Sequence, residues 1–237
     1  MQGKSIINSN RMSMKKLFFL FAFLVGLGIS SSVYAQLVKE VTLTSTNTLA
    51  SELGADVGKV TSLKVNGLLR AEDFKTMKEQ MNMLQVLDMS GVTELPKTAY
   101  WNESVREELQ SIPREAFQNK LTLQKVIFSE ALEMIDEGAF SGCNNLTEFD
   151  FSKATQLRSI EYRAFYECSG LRDLDLSACT SLVGIRSNAF YRCSNLQTVN
   201  LSGCGKLSNI GTYAFRYCSS LRTVDLSNCP VSYTHLT

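Results

Sequence analysis

The chain is 237 residues long, 44% hydrophobic and 20% charged, with a formal net charge of +1. That balance excludes an intrinsically disordered chain, and a near-zero charge removes the field that gathers nucleic acid, so no nucleic-acid partner is expected. One histidine and seven cysteines restrict the catalytic and metal chemistries open to it.

The first element is a leader. Lys15 and Lys16 precede the thirteen-residue run LFFLFAFLVGLGI, Leu17 to Ile29, and SSSVYA follows with small residues at Val33 and Ala35. A basic start, an apolar run too short to span comfortably and a small-residue site make a secretory signal peptide over 1–35, cut after Ala35. Met14 opens a complete signal by itself, so 1–13 reads as an overextended start. The mature protein is expected to be secreted or on the cell surface, touching a membrane only through export or an anchor beyond this sequence. An uncleaved anchor is the alternative.

Residues 36–93 read as an N-terminal cap and degenerate repeats. VKEVTLTST from Val38 suits a capping edge. VTSLKVNGL (Val60, Leu63, Val65, Leu68) and LQVLDMSGV (Leu84, Leu87, Met89, Val92) alternate as half-buried strands. Between them Phe74, Met77 and Met81 fall at helical spacing, which predicts an amphipathic helix behind the strands. Residues 94–108 fit no copy and read as an insertion loop, with Tyr100 and Trp101 as aromatic anchors for a partner or as packing against the flank.

From 109 to 230 the chain repeats itself. Copies begin at Leu132, Leu157, Leu182 and Leu207 with a period of twenty-five, after a shorter copy from Leu109. Each carries Leu-x-x-Leu-x-Leu-x-x-Cys, as in Leu171, Leu174, Leu176 and Cys179, and then Ala-Phe-x-x-Cys, as in Ala189, Phe190 and Cys193. The first spacing predicts a short strand and the second a helical turn. The expected fold class is therefore an α/β solenoid: a leucine-rich repeat in a right-handed coil, with a parallel concave sheet and short helical turns on the other side. A single copy cannot bury its own apolar face, so neighbours are obligatory. After Pro230 the segment VSYTHLT matches nothing upstream and resembles translated adapter sequence, so 231–237 are expected to be a non-native tail.

The cysteines occupy two registers: Cys143, Cys168, Cys193 and Cys218 after Ala-Phe, and Cys179, Cys204 and Cys229 after the strand. From Cys168 on their separations alternate between eleven and fourteen, with no C-x-x-C pair, so zinc is disfavoured. Disulfides remain open in an exported protein. Lys120 stands in the first register, and Ala131 and Ala154 in the second, which favours small buried fillers over ligands or bridges. No metal or cofactor is expected.

AFYEC, AFYRC and AFRYC, together with DLDLSAC and TVDLSNC, resemble the BspA-like class of bacterial leucine-rich repeat proteins over 109–229, and more weakly over 37–93. The resemblance implies an exported, non-enzymatic repeat region engaged in adhesion to proteins or cells. Independently, there is no G-x-x-x-x-G-K-[ST], H-E-x-x-H or G-x-S-x-G motif and no base for a nucleophile, so no catalytic residues are assigned.

Residues alternating with the buried leucines define outward columns: Asp88, Ile127, Asp150, Asp175, Asn200 and Asp225 in one, and Val86, Lys125, Glu148, Asp173, Thr198 and Thr223 beside it. Ser90, Ser129, Ser152, Ser177, Ser202 and Ser227 form a third, and Arg172 and Arg222 stand at the strand starts. The candidate partner-binding residues are Asp88, Lys125, Glu148, Asp150, Arg172, Asp173, Asp175, Asn200, Arg222 and Asp225 on the concave face, with Tyr100 and Trp101 in the insertion. The expected function is recognition of an extracellular protein or glycan. A solvated face without a ligand is the bland reading, and a passive spacer presenting a further domain is the alternative function.

Overall fold

The computed structural model describes residues 36–102 and 105–230, without the side chains of 101, 102, 105 and 106. The expected signal peptide at 1–35 and the tail at 231–237 lie outside the described residues.

In chain order the elements are β1 (Val38–Leu43), α1 (Leu49–Leu53), a 3-10 turn (Gly54–Lys59), β2 (Ser62–Leu68), α2 (Ala71–Glu79), β3 (Val86–Glu94), β4 (Lys97–Asn102) and β5 (Val105–Ile112). Three-residue and two-residue strands then alternate: β6 (Lys125–Ile127), β7 (Met134–Ile135), β8 (Glu148–Asp150), β9 (Ser159–Ile160), β10 (Asp173–Asp175), β11 (Gly184–Ile185), β12 (Thr198–Asn200), β13 (Asn209–Ile210) and β14 (Thr223–Asp225). The three-residue strands pair in parallel with their counterparts one coil away, Leu174 with Val199 and Val199 with Val224, as the period requires. They form the concave side as two sheets, β1-β2-β3-β6-β8 and β10-β12-β14. A third sheet, β13-β11-β9-β7-β5-β4, runs along the other side.

In the N-terminal coils helices return the chain to the sheet. Thr48 caps α1, its hydroxyl accepting from the Ser51 amide. Asp73 joins the two helices: one carboxylate oxygen accepts from the Leu49 amide at 2.7 Å and the other from the Arg70 amide at 2.9 Å. This carboxylate is fully buried, and the two amides supply the partners that such burial demands. Gly67, at φ 83°, allows β2 to shift register against β3, and a Cβ there would lie 2.2 Å from the Leu43 carbonyl oxygen.

In the regular coils the expected helical turns take the form of tight turns closed three residues back. Ala164, Tyr166 and Cys168 donate to Glu161, Arg163 and Phe165, while the amides between them, Arg163, Phe165 and Glu167, donate to Ser187, Ala189 and Tyr191 of the next coil. The alternation satisfies every amide of the turn, half locally and half across the stack. It requires left-handed residues four apart: Glu115 and Asn119, Gly138 and Gly142, Arg163 and Glu167, Asn188 and Arg192, Tyr213 and Tyr217. A continuous α-helix is incompatible with that pattern.

Inside, the Phe of each Ala-Phe pair stacks on its counterpart. Phe117, Phe140, Phe165, Phe190 and Phe215 lie 5.0–5.3 Å apart with ring planes within 14° of parallel. Phe74 of α2 closes the series edge-on at 5.8 Å, so the helical cap and the coils share one core.

All seven cysteines are free thiols, and six are buried. They do more than fill space. Cys143, Cys168, Cys193 and Cys218 each donate to the carbonyl of the preceding coil's Phe, at 2.9–3.2 Å, and Cys204 does so to Leu176 at 3.3 Å. Lys120, in the cysteine register of the first copy, sends its ammonium to the Lys78 carbonyl at 3.4 Å and serves the last turn of α2 in the same way. Burial pushes the Lys120 amine below its ordinary value.

The insertion is a β-hairpin and not the expected loop. β4 and β5 pair antiparallel from Lys97–Gln110 to Asn102–Val105, and the end of β5 pairs in parallel with β7. The hairpin forms the edge of the third sheet, joined to it through Ser111 and Ile112. Tyr100 packs with Leu109 and Met134, and its hydroxyl accepts from the Arg186 guanidinium at 2.9 Å. Glu107 pairs with Arg158. Two successive coils are thereby tied to the hairpin.

Candidate functional site

The concave columns form in the expected register. Lys64, Asp88, Ile127 and Asp150 are consecutive partners, as are Asp175, Asn200 and Asp225. Beside them run Val86, Lys125 and Glu148, and then Asp173, Thr198 and Thr223. The column extends two strands further than the sequence suggested, to Lys64 and then Glu40, whose carboxylate is 2.8 Å from the Lys64 ammonium. The alternation in VKEVTL and SLKVNGL carried that signal.

Most of these carboxylates already have structural work. Asp88, Asp150, Asp175 and Asp225 each accept from the amide of the serine two residues on, at 2.8–2.9 Å, and Asn200 accepts from Ser202 in the same way at 3.1 Å. These Asx turns end each strand. The Ser152 hydroxyl, and then its amide, holds the Asp150 carboxyl below the usual range, and Ser227 does the same for Asp225. Ile127 breaks the series, and Ser129, expected in the outward serine column, is buried with its hydroxyl unpartnered. Without an acceptor two residues back, the serine turns inward.

Lys125 pairs with Glu148 at 2.6 Å, a contact that raises the Lys125 pKa. The Thr198 hydroxyl donates to Asp173 at 2.6 Å. Arg172 and Arg222 are exposed and form no ion pair among the described residues, so they do not relieve the acidic columns directly. Tyr100 is only 5% exposed, which removes it as a free aromatic anchor. Trp101 faces Arg106 in the hairpin ladder, and its side chain lies outside the described residues.

The concave sheet has a seam. β8 and β10 are neighbours, yet no ladder joins them. The seam falls where the inward position holds Phe149, in a column otherwise of Leu63, Leu87, Val126, Leu174, Val199 and Val224. Phe149 meets Phe165 edge-on at 4.7 Å and Phe140 at 5.5 Å, so a larger side chain fills the space between two coils. Above it opens a cleft of about 470 Å³, lined by the carboxylates of Glu148, Asp150, Asp173 and Asp175, with Lys125 at its rim. The structure thus brings five of the candidate residues into one concavity; Asp88, Asn200 and Asp225 lie along the same face outside it. Among the described residues no group of three or more His, Cys, Asp or Glu is placed to hold a metal ion.

Residues 110–234, more than half of the chain, match the BspA type leucine rich repeat region in six copies. The chain belongs to the BspA-type leucine-rich repeat family. Solved structures of similar proteins include a leucine rich repeat protein of T. pallidum, at 22% identity over 69% of this chain and 57% of that one, TM-score 0.45. A leucine rich cell surface protein of Faecalibacterium prausnitzii matches at 15% identity over 75% of this chain and 53% of its own, TM-score 0.45. A leucine-rich repeat protein of Bacteroides ovatus matches at 24% over 70% and 49%, TM-score 0.42. The chain spans about half the length of these repeat structures. No curated protein matches it. Among the described residues no helix is long and apolar enough to cross a membrane.

Proposed function

We propose that this BspA-type chain is an exported recognition module that binds a basic segment of an extracellular protein along its concave face. The observation that carries this reading is the seam cleft. Four carboxylates from two strands converge on a concavity in which Lys125 is the lone lining cation. Like charges so close repel one another, and a lysine- or arginine-bearing strand laid across them relieves that repulsion. Membership of a leucine-rich repeat family supports protein–protein interaction, and the leader at 1–35 supports export.

The test uses the Asp150→Asn, Asp175→Asn double variant. Asn200 shows that an amide keeps the Asx turn, so charge is removed without loss of the strand end. Fluorescence anisotropy with an arginine- and lysine-rich peptide should show binding that weakens roughly 5–30-fold in the variant, at 0.5–1 kcal/mol per exposed contact. Equal affinity for both proteins, with unchanged far-UV spectra, rejects the concave face as the site.

A further inference from the structure

A second surface, on the turn side of the coils, has the opposite character. Arg163 lies over the rings of Tyr162 and Tyr166 at 4.9 and 5.0 Å, Arg216 over Tyr213 and Tyr217 at 4.5 and 4.8 Å, and Arg192 over Tyr191 and Tyr217 at 5.5 and 5.8 Å. Tyr166 and Tyr191 stack at 5.1 Å. Tyr213 and Tyr217 are 45% and 52% exposed, two of the few large apolar side chains left in solvent. The three turn segments 161–169, 186–194 and 211–219 hold four arginines, two glutamates and no aspartate. Arg192 is paired with Glu167 at 3.1 Å, whereas Arg163 and Arg216 have no carboxylate partner among the described residues.

A guanidinium placed over an aromatic ring and free of a carboxylate partner keeps N–H donors available for a planar oxyanion, and the ring contact restricts where the side chain can go. Beside the arginines is a cleft of about 530 Å³, lined by the hydroxyl column Ser169, Ser194 and Ser219 with Glu167, Arg192 and Tyr217. Hydroxyls, an amphipathic ring and a carboxylate–guanidinium pair at a regular spacing suit vicinal diols better than they suit a peptide backbone. The two features meet at Arg192 and Tyr217.

We infer that this flank binds a linear acidic glycan, its chain lying along the serine column and its carboxylate groups taken by Arg163 and Arg216. The inference goes beyond the concave-face reading and does not rest on it. The two faces differ in sign and in ligand, so each can fail alone.

Affinity electrophoresis of the full chain through gels containing polygalacturonate, neutral dextran or polyglutamate tests it. Retardation is expected in polygalacturonate only. The Arg163→Asn, Arg216→Gln double variant should weaken it at least about tenfold, as the loss of two charge-assisted contacts implies, and Tyr217→Asn should weaken it too. Asn is chosen at 163 and 217 because both residues are left-handed and Asn tolerates that conformation. Asp150→Asn, Asp175→Asn should leave retardation unchanged. Equal retardation in polyglutamate assigns the surface to acidic peptides and overturns the proposal. No retardation in polygalacturonate, or variants that migrate as the parent does with the same far-UV spectrum, also overturns it.

Discussion

The thiol of Cys168 donates to the carbonyl of Phe140, one coil upstream, at 3.1 Å. That carbonyl also receives the Cys143 amide at 3.1 Å, so the thiol is a second donor to an acceptor that already has one. The cysteine ladder therefore adds a side-chain bond to each coil junction and leaves no orphan when it is removed.

Cys168→Ala is expected to cost about 1–2 kcal/mol, from a weak hydrogen bond and a small cavity, and Cys168→Ser less because the donor is kept. Urea denaturation checks this: both variants should lower the midpoint, alanine more, with an unchanged slope. A larger loss for serine would show that volume, and not the donor, matters at this position.

The thiols should also differ in reactivity. Burial pushes Cys143 and Cys204 up to about 12 and raises Cys168 and Cys179 further, which suppresses the thiolate. Cys229 is the one thiol of seven with substantial exposure. Cys218, whose pKa the Cys193 hydrogen bond lowers, is the least buried of the other six. Titration of the native protein with a disulfide reagent at pH 8 should yield Cys229 fast and Cys218 next, and the others only after denaturant is added.

Asp150 links charge to stability. Its carboxyl is depressed in the folded state, so it stabilises at pH values above the unfolded value of about 3.9, and that contribution fades as pH falls through the folded value. Asp150→Asn should fold and should flatten the dependence of stability on pH below about 4, read from urea midpoints across that range. Unchanged pH dependence would mean that Ser152 does not hold the charge.

At Tyr100, truncation to alanine leaves a cavity against Leu109 and Met134 and should cost about 3–5 kcal/mol. Tyr100→Phe removes only the bond from Arg186. Hydrogen exchange should place the loss of protection in β9 and β11, with β1 to β3 unaffected.

Much of this architecture was legible from one number. A period of twenty-five fixes the pairing of Leu174 with Val199, and hence every outward column. The turn side was harder to read, because left-handed residues are usually betrayed by glycine, and only Gly138 and Gly142 do so here; Arg163, Glu167, Asn188 and Arg192 hold the same geometry without it. Their conformation is imposed by bonds to the next coil, which no local propensity records. Two-residue strands such as Met134–Ile135 are too short to alternate, so the third sheet left no pattern. The Asx turns were readable in D-x-S at 88, 150, 175 and 225. The seam coincides with Phe149, whose larger side chain in a column of leucine and valine no period records.

The Arg186 bond to Tyr100 spans 86 residues, and that of Arg158 to Glu107 spans 51. Under tension from the carboxyl end, the coils that follow the one carrying Arg186 have no tether to the hairpin among the described residues and would unreel singly, each releasing 25 residues, or roughly 80–90 Å of slack. The coils beneath the hairpin cannot follow until its two arginine tethers give way, so the molecule has a built-in stop to its own extension.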